Sequence, residues 1–299
     1  IYLAATWMVA PGYFSPDRVD HVQAKVEARA ALDRAAVLVP EHPMLLGLEG
    51  FLRGLEVDQI GALSLLERAS AASLNDSTPL IWRGMLLLQT GYIDEAIGVL
   101  GQAQRMDPLS GIANGYLAIA YLSAGREAEA EASARRAEAL GWDPAVFVLA
   151  YDLASRGERA RAVALWDEFI PKPRSDLEAR RNPLVRRLLA DPNDTEARAT
   201  LSTLPLEGAL EYLVAIRDYD TLLDLAEEQV RQRAVYRRLS FWVRMAWLPS
   251  TLELRESPRF LAYSGSNGAA ALWEARGYPP GCVRVAAPGG DHLDCKAGR

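Results

Sequence analysis

Lysine is almost missing from this chain: Lys25, Lys172 and Lys296 are its three, so the positive charge of 33 basic residues is nearly all arginine, set against 39 acidic residues. The net charge of −6 argues against binding to duplex DNA or to an anionic membrane, because phosphate-driven affinity needs surplus cations. Histidine is just as scarce. His21 and His42 read as exposed bystanders near helix starts, and His292 lies beside Asp291, Asp294 and Cys295. One Cys and one His without a second pair do not make a zinc signature, so no metal is expected. No phosphate-cradling glycine loop, metalloprotease His pair or nucleophile elbow is present; Gly265-Ser266-Asn267-Gly268 has the wrong spacing for the elbow. Glu227 and Glu228 are adjacent on a helix and point apart, so they cannot flank a substrate. The expectation is a chain without catalysis and without a cofactor.

Long apolar runs are lacking too. Ile1 to Ala10 is too short to span a bilayer and has no basic leader. The opening Ile1-Tyr2-Leu3, with no initiator Met, reads as a piece cut from a longer protein, with any anchor upstream. Two cysteines occur, Cys282 and Cys295, both in the last 18 residues. They are either unrelated thiols or a disulfide that staples a Gly- and Pro-rich tail in an oxidising compartment. Closing so short a loop stabilises by roughly 3 kcal/mol in the chain-entropy model.

What is abundant is alanine at a fixed spacing. Ala28, Ala62, Ala96 and Ala130 recur every 34 residues; Ala35, Ala69, Ala103 and Ala137 follow in step, and Gly50, Gly84 and Ala118 form a third register. Such periods mean helical repeats. A small residue is needed wherever one helix backbone crosses close to another, and residues seven apart share a helix face. Turn-like Gly91-Tyr92, Gly125-Arg126 and Gly157-Glu158 separate the helices of a pair, and Pro40, Pro108 and Pro144 follow second helices.

At this point the chain resembles the tetratricopeptide-repeat (TPR) family. Ser77 to Ser110 carries Gly84, Tyr92-Ile93-Asp94-Glu95-Ala96, Ala103 and Asp107-Pro108 where the family has its signature. Gly111 to Pro144 matches with Tyr121, Gly125, Ala130 and Ala137, and Pro43 to Asp76 with Gly50, Ala62 and Ala69. A shorter unit uses Gly157, Ala162 and Phe169; Ala28, Ala35 and Pro40 close a first unit with an insert, Gly12 to Asp20. The likeness implies an all-α solenoid of antiparallel helix pairs. It also implies that first helices line a concave face through Met44, Gly47, Phe51, Gly54 and Leu55, then Thr78, Ile81, Met85, Leu88 and Gln89, then Ile112, Gly115, Ile119, Leu122 and Ser123. Of these, Phe51, Ile81, Met85, Leu88, Ile119 and Leu122 are the expected binding residues. The lysine and asparagine clamp that some TPR proteins use for a terminal carboxylate is absent. So apolar a face is not left in water. The C-terminal half, a second copy or an apolar peptide or ligand must cover it, and the C-terminal half, rich in Trp, Tyr and Leu, is favoured.

Beyond Pro171-Lys172-Pro173-Arg174 the register is lost. Leu206 to Leu210 and Tyr219 to Leu223 keep helical spacing and read as degenerate repeats capping the array. The aromatic stretch Tyr236, Phe241, Trp242, Met245 and Trp247 is core packing or a ligand platform; Lys172 to Arg187 and Arg231 to Arg244 are solvated faces or a docking patch for acids. The succession Trp247-Leu248-Pro249, Leu254 to Phe260, Leu272 to Cys282 and Asp291 to Cys295 resembles the ending of TPR sensor regions in winged-helix membrane regulators of the ToxR type and in some class III adenylate cyclases. Pro280-Gly281 departs from the polar residues usual before the first cysteine. In that family the paired cysteines close the tail outside the cytoplasm, which implies a bond between Cys282 and Cys295. The expectation is therefore a TPR array over 1–170, a helical capping region over 171–262 with an irregular tail over 263–299. Such a chain would be a non-catalytic sensor that binds a protein or peptide, periplasmic as the soluble part of an inner-membrane protein. A homodimer is allowed; direct nucleic-acid binding by this segment is not expected. The regulatory region of a signalling enzyme such as a cyclase, or a free-standing assembly chaperone in the cytoplasm, are the alternatives.

Overall fold

A computed structural model describes residues 1–6, 21–169, 173, 176–204, 210–231 and 242–295. After a helical run at 2–6 comes α1 (His21–Leu38), followed by four helix pairs. These are α2 (Pro43–Leu55) with α3 (Gln59–Ala72), α4 (Thr78–Gln89) with α5 (Ile93–Met106), α6 (Gly111–Ser123) with α7 (Glu127–Ala139), and α8 (Pro144–Ser155) with α9 (Arg159–Phe169). Each packs on its partner and on the next pair, so the architecture is an all-α, TPR-like solenoid. The expected insert, Gly12 to Asp20, lies outside the described residues.

The small-residue registers mark the crossings. Ala62, Ala69, Ala96, Ala103, Ala130 and Ala137 are fully buried. At Gly84 a Cβ would stand 2.4 Å from Leu100 of the paired helix, so only glycine lets α4 and α5 approach this closely. Ala96→Leu therefore should cost about 1–3 kcal/mol by overpacking, whereas Ala128→Leu, on an exposed position of α7, should cost less than about 0.5 kcal/mol. Equal shifts of the two in denaturant melts would refute the register.

The turn inside each pair repeats down to its hydrogen bonds. Gly91 N–H donates to Leu88 O and Tyr92 N–H to Leu87 O; Gly125 with Arg126 and Gly157 with Glu158 do the same. All three glycines have positive φ, as this helix stop requires. Val57 holds the same place in the first of these pairs with φ 61°, and Arg217 has φ 57°. The Arg217 turn makes the same two bonds, from Arg217 N–H to Val214 O and from Asp218 N–H to Leu213 O. Hence α12 (Glu211–Ala215) and α13 (Tyr219–Arg231) form one more pair of the same kind, although its sequence spacing has drifted. Between lie α10 (Asp176–Ala190) and α11 (Thr195–Ser202), which pack on each other. A β-branched residue in the left-handed region is strained by about 1–3 kcal/mol. Val57→Gly should accordingly raise stability by about 1 kcal/mol, net of the entropy glycine loses on folding; a lowered melting temperature would show that the Val57 side chain offsets its strain.

The chain then turns back on the array through α14 (Trp242–Met245), the 3-10 turn Pro249–Thr251, α15 (Leu252–Glu256), α16 (Pro258–Ser266) and α17 (Ala269–Arg276). It ends in an antiparallel hairpin of β1 (Cys282–Val285) and β2 (His292–Cys295), with Cys282 opposite Cys295 and the two joined as a disulfide. Residues 263–295 are thus not the irregular tail expected from their Gly and Pro content. Pro258 opens α16 at its first turn, Gly268 and Gly277 bound α17, and Phe260, Trp273 and Leu293 are buried.

Candidate functional site

First helices α4 and α6 present their inner sides to α14, which packs against both. Of the expected binding residues, Ile81, Leu88, Ile119 and Leu122 are buried, and they share one core cluster with Val243, Met245, Trp247 and Leu248. Phe51 and Met85 are half-buried and line a cleft between α2, α3 and α4, together with Gly54, Gln59, Trp82 and Arg244. Leu122 instead borders a second cleft, walled by Leu149, Leu153 and Leu165 and rimmed by Arg135, Arg156 and Arg161 with Glu127, Glu131 and Glu168. The six residues are therefore not one open strip.

What holds the returning segment is a set of bonds to the C-terminal end of α4. The last carbonyls of a helix have no partner inside it. Here Trp247 Nε1–H donates to Gln89 O at 3.0 Å, and Trp273 Nε1–H donates to Thr90 O at 2.9 Å. The two indoles meet edge to face, 6.0 Å between centroids. The Trp247 ring lies over Gly91, where a Cβ would come within 2.5 Å of it, so this glycine serves both the turn and the docking. Beside it, Tyr92 Oη donates to Gly277 O at 2.6 Å, and Arg276 pairs with Glu95 at 2.7 Å while lying over the Tyr92 ring. Burial raises the Tyr92 hydroxyl above its ordinary pKa, which keeps it a donor.

Two buried charges complete the junction. Asp152 of α8 accepts from Ser250 Oγ at 2.6 Å and pairs with Arg156 at 3.0 Å; burial raises its carboxyl above the usual range. Arg255 donates to Ala246 O, Leu248 O and Thr251 Oγ1, at 2.5, 2.8 and 3.2 Å, and packs over Trp247. Burial pushes its guanidinium down to about 10, so it stays charged at neutral pH and pins the 246–251 bend. Sequence reading had no signal for Asp152 or Arg255 beyond polarity within apolar surroundings.

Among the described residues, no three His, Cys, Asp or Glu side chains stand where they could share a metal, and no helix is long and apolar enough to cross a membrane. Within the arginine stretches, Arg186 pairs with Asp167, Arg187 with Asp194 and Glu196, and Arg231 with Glu228. Tyr236 and Phe241 of the aromatic stretch, and Leu206 to Ala209, lie outside the described residues.

No protein-family model matches the chain, and no curated protein matches it with significance. A solved structure of Naa15/Naa10 bound to HypK-THB aligns with a TM-score of 0.38 and 16% identity, over 91% of this chain and 50% of that one. The chain thus spans about half the length of the solved chain it matches. So distant a likeness adds nothing to the helix pairing and the recurring turns, on which the fold stands.

Proposed function

We propose that this chain is a non-catalytic TPR-type interaction and sensor domain for a protein or peptide, and the extracytoplasmic part of a bacterial membrane-anchored transcription regulator. The observation that carries the reading is the closed hairpin: Cys282 and Cys295 face each other across β1 and β2 and are joined, at the place where the resemblance to ToxR-type sensor regions puts such a pair. A disulfide at the end of a chain suits an oxidising compartment. The partner docks on the accessible edge of the concave side, around Met44, Phe51 and Trp82, because Ile81, Leu88 and Ile119 are taken up by the chain itself.

The placement is tested by mass spectrometry of non-reduced peptides from the full-length protein in its native cell, which should find Cys282 linked to Cys295. Two free, alkylatable thiols would remove the support for the extracytoplasmic reading. Docking is tested in the same cells with a photocrosslinking amino acid at Phe51, which should give a discrete adduct absent when the crosslinker stands at Ala128. Identical patterns from both positions would overturn the assigned face.

A further inference from the structure

We propose that the cleft between α7 and α9 binds a small primary amine that carries an apolar ring or branched chain. The cleft arises from the repeat register. In α5, Ile93 and Ile97 share one stripe of the helix and pack against the core. Thirty-four residues on, Glu127 and Glu131 stand at those positions of α7, and Arg135 follows at the same spacing. α7 has no apolar side chain larger than alanine. Opposite it, α9 presents Ala164 and Leu165 between Arg161 and Glu168. Little therefore fills the space between these two second helices, and Leu122, Leu149 and Leu153 of the first helices α6 and α8 form its floor. The cleft holds about 210 Å³. An apolar cavity of roughly 150 Å³ already admits benzene, so there is room for one ring with a short arm. None of the residues proposed to dock the partner lines it.

The rim decides the charge of the occupant. Three guanidinium groups stand there, each already paired. Arg135 pairs with Glu168 across the gap and with Glu131 on its own helix, both at 2.9 Å. Arg156 pairs with Asp152 at 3.0 Å, with Glu158 at 3.2 Å and also with Glu127, and Arg161 pairs with Glu158. Five carboxylates thus share three guanidinium groups, which leaves an excess of two negative charges around the cleft. An ammonium answers that surplus without breaking a pair, because a carboxylate has lone pairs beyond those its arginine uses. At Glu131 both bonds from Arg135 end on Oε1, and Oε2 is left to accept. An anionic head group would meet the surplus as repulsion, and a neutral one would gain little from it. The apolar body of the ligand then covers the leucines of the floor.

The test is calorimetric titration of the whole chain, at low ionic strength, with 2-phenylethylamine. The controls are 2-phenylethanol, which lacks the charge, 3-phenylpropionate, which reverses it, and ethylamine, which lacks the ring. The amine should saturate with Kd below about 1 mM, and each control should bind at least about threefold more weakly. Ala164 is exposed and lines the cleft. Ala164→Phe should therefore fill the cleft and weaken the amine at least about tenfold, with the melting temperature unchanged. Glu131→Gln should narrow the preference for the amine over the alcohol and leave the alcohol's own affinity as it was. The proposal is overturned if the amine's Kd exceeds about 1 mM, or if any control comes within about threefold of it, comparisons that need no variant. It is overturned too if a normally folded Ala164→Phe protein loses less than about tenfold in affinity. A peptide beginning with phenylalanine that binds more than about tenfold tighter than the amine would assign the cleft to a partner's chain terminus and overturn it equally.

Discussion

Ile119→Asp is expected to lower the unfolding free energy by roughly 3–5 kcal/mol, because it places a carboxylate within an apolar core cluster. Ile119 is 1% exposed and belongs to the cluster that α14 and the following bend complete. Met85→Asp, one repeat earlier on the corresponding position of α4, should cost only about 1 kcal/mol. Met85 is half-buried and shares its cleft with Arg244, so a carboxylate there meets both water and a guanidinium. Ile119→Val, losing one methylene, should cost about 0.5–1.5 kcal/mol and serves as the volume control. Chemical denaturation of the three variants decides the matter. An Ile119→Asp protein as stable as Met85→Asp would mean that the C-terminal segment does not cover α6, and that this face is open after all.

The second large effect belongs to Trp273. It is 1% exposed and donates to Thr90 O. Trp273→Ala removes a large buried ring and leaves a void, at a cost of about 3–5 kcal/mol. Trp273→Phe keeps most of the ring but strands the Thr90 carbonyl, at about 1–3 kcal/mol. The separation between the two variants measures packing against hydrogen bonding. Equal midpoints for both would show that the indole N–H, rather than ring burial, fixes α17 to α4.

The repeat array was legible in the sequence because its determinant is steric and local. A close helix crossing demands a small residue, glycine alone at Gly84 against the Leu100 side chain, and that requirement returns every 34 residues. The pair α12 and α13 was legible only as a degenerate repeat, for the complementary reason: Arg217 stands where the other turns have glycine, except for Val57. The hydrogen bonds of the turn are made by backbone, so the geometry survived when the residue that advertises it did not. Coverage of the concave side followed from its apolar content, and the structure supplies the returning helices. How they are attached did not follow, because Gln89 O and Thr90 O are main-chain groups that no side-chain pattern reveals. The 263–295 segment looked irregular because its order comes from what it packs on: α17 lies against α3, and β2 against α15 and α16.

Stacked repeats ordinarily touch only their neighbours, so such arrays tend to fray from the ends and to unfold stepwise. Here Gln59 is bonded to Asn267, and Tyr92 to Gly277. These contacts close loops of well over a hundred residues, and the entropy of closing them must be met before they form. The segment around α17 thus ties the early repeats to residues about two hundred positions further along the chain. The consequence is kinetic and cooperative: folding should be slow for an all-helical chain, and loss of the final helix should loosen the array near its beginning rather than only at its end.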